Sequence, residues 1–277
     1  MDETVLITGC SSGIGRATAQ AFLAEEWTVY ATARNPADVE TLGEEGCEIA
    51  TLDVTDDDDV ERVVSRMVED EGRIDALVNN AGFGQYGPLE DVPVDQLRRQ
   101  FDVNVYGPHR LTRAVLPHMR RRRDGTVVNV SSLAGRIAAP GMGAYAGSKF
   151  ALEAMSDALR NEVGEYGIDV VLVEPGPVKT RFTDRTEAEI QGDGDVPGVE
   201  RSGAYESVYD ALEDGSLLGG VGAVTPEQVA ADVVNAASAT KPMARYPSGP
   251  VARVGVLARH LPARWLDAAY DVLSRLA

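Results

Sequence analysis

Short apolar runs alternate along the chain with longer segments in which apolar residues return every three or four positions. Residues 4–8, 28–32, 48–52, 76–79, 126–130 and 169–174 are rich in β-branched and small apolar residues. Such continuous runs predict strands buried on both faces. Between them the spacing is helical: Leu152, Met155, Leu159 and Val163, for example, share one face. Strand and helix alternating at this rhythm predict βαβ units, hence an α/β fold with a doubly wound parallel sheet and helices on both faces. No Pro/Gly/Ser-rich linker divides the first 180 residues, and the only biased block is the acidic run 56–59. A single domain over 1–277 is expected.

The pattern changes after Thr180. Residues 181–225 are polar, acidic and Gly-rich, and too long for a simple connection, so they read as a substrate loop or lid. Thr225 is placed to cap a helix that has Pro226 at its first position and Glu227 in its first turn. That helix begins a C-terminal extension, 226–277. There Pro262 opens a last helix carrying Trp265, Leu266, Ala269, Leu273 and Leu276 along one side. Packing against the body or a second subunit is the favoured reading of that face, with a lid or a membrane-surface contact as the alternatives.

Composition narrows the class. With 44% hydrophobic and 25% charged residues the chain has the make-up of a soluble globular protein, and no stretch reaches the roughly 20 apolar residues of a membrane span. Neither a basic n-region nor an apolar h-region precedes the first strand, so a cytoplasmic address is expected and stable membrane insertion is not. Cys10 and Cys47, and the scattered His109, His118 and His260, have no redox or metal-site spacing; no metal is expected. The net charge is −18, and Lys149, Lys179 and Lys241 are the only lysines. Such a surface repels phosphate backbones, which excludes nucleic acid as a partner. It also fits adaptation to high salt, where self-repulsion is screened.

Three groups of residues carry chemistry. The first is Thr8-Gly9-Cys10-Ser11-Ser12-Gly13-Ile14-Gly15, between a predicted strand and a predicted helix. Glycines there let a pyrophosphate approach the backbone amides at the helix N-terminus. The second is at the ends of the third and fourth strands: Asp53, with Val54, where a carboxylate could take a hydrogen bond from an adenine amine or cap the following helix, and Asn79-Asn80-Ala81-Gly82, with side-chain amides and small residues suited to close cofactor approach. The third is Tyr145 and Lys149, one helical turn apart, with Ser132 thirteen residues earlier at a strand end. A phenol ionises near pH ~10, and an adjacent ammonium lowers that value; Ser132 would orient a carbonyl oxygen.

Together these motifs resemble the compact, single-domain branch of the short-chain dehydrogenase/reductase family. The resemblance runs from Thr4 to Thr180, about two thirds of the chain, through TGxxxGxG, NNAG and YxxSK in the family's order. It implies a Rossmann fold and direct hydride transfer between a nicotinamide cofactor and a carbonyl or secondary alcohol. Tyr145 would then be proton donor and acceptor, assisted by Ser132, by Lys149, which also holds the cofactor ribose, and by Asn104, which holds a proton-relay water. Pro175, Val178 and Thr180, in a PGxxxT-like segment, would hold the nicotinamide end.

NAD-specific relatives carry a carboxylate at the end of the second strand. Here Ala33 stands in its place and Arg34 follows, so NADP is expected over NAD; Ser12 departs from the basic residue that many NADP-dependent relatives have in the glycine turn. By the same resemblance, helices around 104–119 and 148–163 would build a homodimer or homotetramer. The pocket is expected from 84–89, 133–142 and 181–224, where Phe182, Tyr205, Tyr209, Leu217 and Leu218 point to an apolar substrate. The alternatives are an NAD-dependent alcohol dehydrogenase, an extended-branch epimerase or dehydratase, which the glycine spacing and short chain disfavour, and a non-catalytic nucleotide-sensing or scaffold protein on the same fold.

Overall fold

A computed structural model describes residues 3–180, 198–213 and 222–276. Its strands are β1 (Thr4–Ile7), β2 (Thr28–Ala33), β3 (Glu48–Thr51), β4 (Ala76–Asn79), β5 (Gly125–Val130), β6 (Ile168–Pro175) and β7 (Arg245–Ser248). They form one sheet in the order β3-β2-β1-β4-β5-β6-β7, parallel throughout. The chain reverses its direction of travel across the sheet between β1 and β4, so the crevice of this fold opens at the carboxyl ends of those two strands.

The helices are α1 (Gly13–Ala24), α2 (Glu40–Glu45), α3 (Asp57–Glu71), α4 (Val94–Phe101), α5 (Gly107–Arg122), α6 (Gly143–Val163), α7 (Glu206–Glu213), α8 (Pro226–Ser238), α9 (Pro250–Ala258) and α10 (Ala263–Leu276). They cover both faces of the sheet. Val5 and Ile7 of β1 pack with Phe22 of α1 and Val229 and Val233 of α8, whereas Leu6 faces the layer of Val63, Met67, Leu111 and Val115 from α3 and α5. Alternation along a strand thus feeds two apolar cores, which is why the central strands show no apolar-polar alternation.

The six foreseen strands agree with the sheet to within one residue at each end. β7 was not foreseen. Its four residues, RYPS, form no apolar run, and Pro247 suits only an edge position; the strand pairs with β6 alone, from Leu172↔Arg245 to Pro175↔Ser248. The Thr225 cap is present, completed by Gln228 as a reciprocal capping box. In α10, Leu266 is half-buried but Trp265 is 62% exposed, so Trp265 does not pack on the body. The side chains of Ala269, Leu273 and Leu276 lie outside the described residues, as do Phe182, Leu217, Leu218 and much of the 181–225 loop.

Candidate active site

The glycine turn is built against the start of the crevice. Gly9 and Gly13 adopt left-handed backbone, with φ of 72° and 56°, which side chains disfavour. A Cβ on Gly15 would lie 2.3 Å from the Gly9 carbonyl oxygen and 2.4 Å from Asn80 Nδ2. Thr8, which opens the glycine motif, holds this crossing together. Its Oγ1 accepts from the amides of Asn80 (3.1 Å) and Ala81 (3.0 Å), while Asn80 Nδ2 donates to the carbonyls of Thr8 (2.9 Å) and Gly9 (3.1 Å).

The Asn80 amide therefore braces the turn. Asn79 likewise turns inward and donates to Asn129 Oδ1 at 2.8 Å. Both side-chain amide nitrogens are thus engaged within the protein, and the small Ala81 and Gly82 follow them at this edge.

The surroundings fit a dinucleotide. Ser12 stands at the N-cap of α1, yet its hydroxyl caps none of that helix's amides. Ser11 beside it is half-buried, and Ile14 packs into the core beneath. Thr180 closes over the turn, its Cγ2 3.2 Å from where a Gly13 Cβ would stand. Val178 is held by a bridge to Val224, so the segment that starts at Pro175 lies across the carboxyl ends of the strands. Arg34 is exposed after β2 and, among the described residues, is paired with no carboxylate.

Asp53 follows β3 and accepts from the Thr55 amide (2.9 Å) and hydroxyl (2.7 Å) through Oδ1. The cap of α3 is Asp56 instead. Val54 is buried and packs on Gly107, where a Cβ would lie 2.8 Å from Val54 Cγ2.

Ser132, Tyr145 and Lys149 meet beyond β5. Ser132 caps a tight turn over Leu133–Gly135, accepting from the Ala134 amide at 3.1 Å. Its hydrogen bond with the Tyr145 side chain draws the phenol pKa down, but burial outweighs this and pushes it up to about 12. The sequence argument expected Lys149 to lower that value. Here Lys149 Nζ donates to the Val130 carbonyl at 2.8 Å and stands 5.9 Å from the centre of the Tyr145 ring, so loss of solvent around the phenol prevails. Burial also drops Lys149 to about 8, partly opposed by the Glu153 carboxylate.

Asn104 sits in a wide turn, Asp102–Tyr106, with π-type bonding between α4 and α5, a distortion frequent at functional sites. Its Nδ2 donates to the Phe83 carbonyl (2.9 Å) and to Ser148 Oγ (3.1 Å), and its Oδ1 accepts from the Phe83 amide (3.1 Å). Ser148 in turn donates to the Tyr145 carbonyl at 2.7 Å. Asn104 and Lys149 both border Gly82, where a Cβ would lie 3.1 Å from Asn104 Oδ1 and 3.8 Å from Lys149 Nζ.

An apolar wall faces the phenol: Tyr86, edge-on to the Tyr145 ring at 5.6 Å between centroids, with Val199, Tyr209 and Leu212, and Met142 and Tyr205 packed behind. Tyr209 is anchored by a 2.8 Å hydrogen bond to Asp91. Among the described residues no group of three or more His, Cys, Asp or Glu is gathered to hold a metal.

A parallel sheet with a glycine turn at its switch point, and beside it a Ser-Tyr-Lys set whose Tyr145 and Lys149 are buried, define a dinucleotide-dependent oxidoreductase. The short chain dehydrogenase family model matches residues 3–191, and the chain belongs to the short-chain dehydrogenase/reductase family. It is 40% identical over 269 residues to the oxidoreductase YbbO of Escherichia coli, covering 96% of this chain and 93% of that protein. It is 34% identical over 272 residues to the NADPH-dependent 3-dehydrocapnine reductase of Ornithobacterium rhinotracheale, covering 95% and 94%. Among solved structures, a short-chain dehydrogenase from Streptomyces avermitilis superposes with a TM-score of 0.81 at 34% identity, covering 99% of this chain and 97% of that one. The chain is thus an NAD(P)-dependent oxidoreductase with a single Rossmann domain.

Proposed function

We propose that this enzyme is an NADPH-dependent reductase of ketones or aldehydes carried on apolar molecules, and that it oxidises the corresponding secondary alcohols by the reverse path. The observation that carries this reading is the Tyr145 side chain, hydrogen-bonded to Ser132 and part of one buried apolar cluster with Tyr86, Val199, Tyr209 and Leu212. A polar carbonyl has two partners there, and the rest of the molecule meets apolar side chains.

In this reading Gly9, Ser11, Ser12, Gly13, Ile14 and Gly15 hold the pyrophosphate side of the cofactor. Asp53 and Val54 hold the adenine side, Asn80, Ala81 and Gly82 border it, and Pro175, Val178 and Thr180 hold the nicotinamide end. When bound, the reduced nicotinamide supplies a hydride. Ser132 orients the carbonyl oxygen, Tyr145 delivers a proton to it, and Lys149, aided by Asn104, restores that proton. The exposed Arg34 beside Ala33, paired with no carboxylate among the described residues, supports NADP over NAD, because a guanidinium pairs a 2′-phosphate through two parallel bonds. The name of the Ornithobacterium relative, an NADPH-dependent reductase, agrees.

The packing of Val199, Tyr209 and Leu212 against the site supports residues 181–225 as its substrate loop. Exposed Tyr106, Phe150 and Met155, on or beside α5 and α6, support a homodimer or homotetramer through those helices, which light scattering would test. The free, buried Cys10 and Cys47 are compatible with a reducing cytoplasm. The acidic charge supports a protein stabilised by molar salt, and a melting temperature that falls with added salt would contradict it. The function is tested by turnover of a panel of apolar ketones and aldehydes with NADPH and NADH. NADPH should give the higher kcat/KM, and Tyr145→Phe should lose on the order of 10²-fold or more while binding NADPH within a few-fold. Equal use of NADH would overturn the cofactor assignment, and an active Tyr145→Phe variant the mechanism.

A further inference from the structure

Beneath the candidate site lies a cluster of buried charges that none of the roles above uses. Glu153 of α6 is 3% exposed and Glu174 of β6 is 1% exposed. Arg245 of β7 donates to Glu153 Oε2 through Nε (3.1 Å) and Nη2 (3.0 Å), and its Nε is 3.2 Å from Glu174 Oε1. Arg136 Nη1 lies 3.5 Å from Glu153 Oε2 and 3.6 Å from Glu174 Oε1. Asp157, one turn beyond Glu153, pairs with Arg245 (2.7 Å) and Arg160 (2.9 Å). The two buried carboxylates thus share Arg136 and Arg245, as buried ions require, while Asp157 and Arg160 lie at the more exposed rim.

The cluster joins the three segments that carry the chemistry. Arg136 ends the turn begun by Ser132, its amide bonded to the Leu133 carbonyl at 2.9 Å. Glu153 stands one turn after Lys149 on the helix of Tyr145. Glu174 immediately precedes Pro175. The turn rests directly on Glu153: a Cβ on Gly135 would lie 3.0 Å from Glu153 Cγ and 3.3 Å from the Lys149 carbonyl.

We propose that Glu153 is a positioning residue for carbonyl reduction: by holding Arg136 and Arg245 it sets the Ser132 turn and the Pro175 segment against Tyr145 and Lys149. Its carboxylate also bears on Lys149 directly, opposing the effect of burial on that ammonium. The inference rests on the reductase reading above. The geometry of proton and hydride transfer is steep, since a shift of about 1 Å costs on the order of 10²-fold in rate.

The test is steady-state reduction of an apolar ketone by NADPH with the full-length wild type and the variants Glu153→Gln, Arg136→Met and both together. Glu153→Gln keeps the shape and removes the charge. Its kcat should fall 10- to 100-fold, with NADPH affinity within threefold and KM changed less than kcat. The isotope effect on kcat with NADPH deuterated at C4 should rise, as chemistry becomes limiting; a merely structural role would leave it unmoved. The double variant should be no slower than the slower single one, because Arg136 acts through its contact with Glu153. A folded Glu153→Gln enzyme with wild-type kcat and isotope effect would overturn the proposal, as would losses that multiply in the double variant. If Glu153→Gln does not fold, Arg136→Met alone decides: it leaves Glu153 paired to Arg245 and should show the same fall in kcat, and wild-type kcat overturns the proposal. A wild type that reduces no carbonyl would sink the reductase reading itself and this inference with it, an outcome distinct from a variant matching an active wild type.

Discussion

Replacing Gly15 by alanine tests the cofactor cradle at its tightest point. The added methyl would stand 2.3 Å from the Gly9 carbonyl oxygen and 2.4 Å from Asn80 Nδ2, more than ~1 Å inside ordinary contact distances. The first obstacle is backbone, so it does not yield by a rotamer change. Overpacking of this kind costs about 1–3 kcal/mol, and the upper end applies. Moving the Gly9 carbonyl also strains its bond from Asn80, worth about 1 kcal/mol more.

Both displaced groups shape the turn proposed to receive the pyrophosphate. If half or more of that free energy appears in binding, the NADPH dissociation constant rises about tenfold or more. Fluorescence titration with NADPH and thermal melting read the two effects separately. Gly164→Ala is the control, since a Cβ there meets nothing within 4 Å. A Gly15→Ala protein that binds NADPH within threefold of wild type and melts with the Gly164→Ala control would refute the reading of this turn as a cradle.

Arg34→Ala should reduce the preference for NADPH over NADH by roughly 10- to 100-fold, the worth of a charge-assisted pair; an unchanged ratio of kcat/KM values at one salt concentration would assign the preference elsewhere. Burial lowers Lys149 to about 8, so its ammonium is present below that pH and lost above it. For the free enzyme, kcat/KM for carbonyl reduction should therefore decline as pH rises past about 8, and a flat profile from there into the alkaline range would separate Lys149 from proton supply. Thr225→Ala removes one half of the α8 capping box and should cost about 1 kcal/mol in denaturant unfolding, with kcat unchanged; a larger loss in activity than in stability would tie that helix to the site.

What the sequence revealed about the fold follows from where free energy is local. β1, β4 and β5 are buried on both faces, so burial itself writes a continuous apolar run. β7 is held by pairing with β6 along one edge and leaves no such run. The Tyr145 and Lys149 pair was legible for a similar reason: four residues on a helix place two side chains on one face whatever the tertiary structure. That spacing fixes a shared face but not an orientation. In the folded chain Lys149 turns to the Val130 carbonyl and the phenol is governed by burial, in a cluster whose other members, Tyr86, Val199 and Tyr209, are distant in sequence.

Asn80 carries the same lesson. Its place in NNAG marks the cofactor edge, yet its amide is occupied by Thr8 and Gly9, a partnership made only when β1 and β4 lie side by side. Glu153, one turn from Lys149, reads in sequence as another charged helical residue in an acidic chain. Its distinguishing property is that Arg136 and Arg245, seventeen and ninety-two residues away, meet it where water does not. The residues proposed to touch the reacting groups are thus spelled by short motifs, because chemistry constrains their identity. Those that hold them in place are chosen by contacts between distant segments, where an Arg–Glu pair is one of several ways to fill the same space, and only the folded arrangement distinguishes it from surface charge.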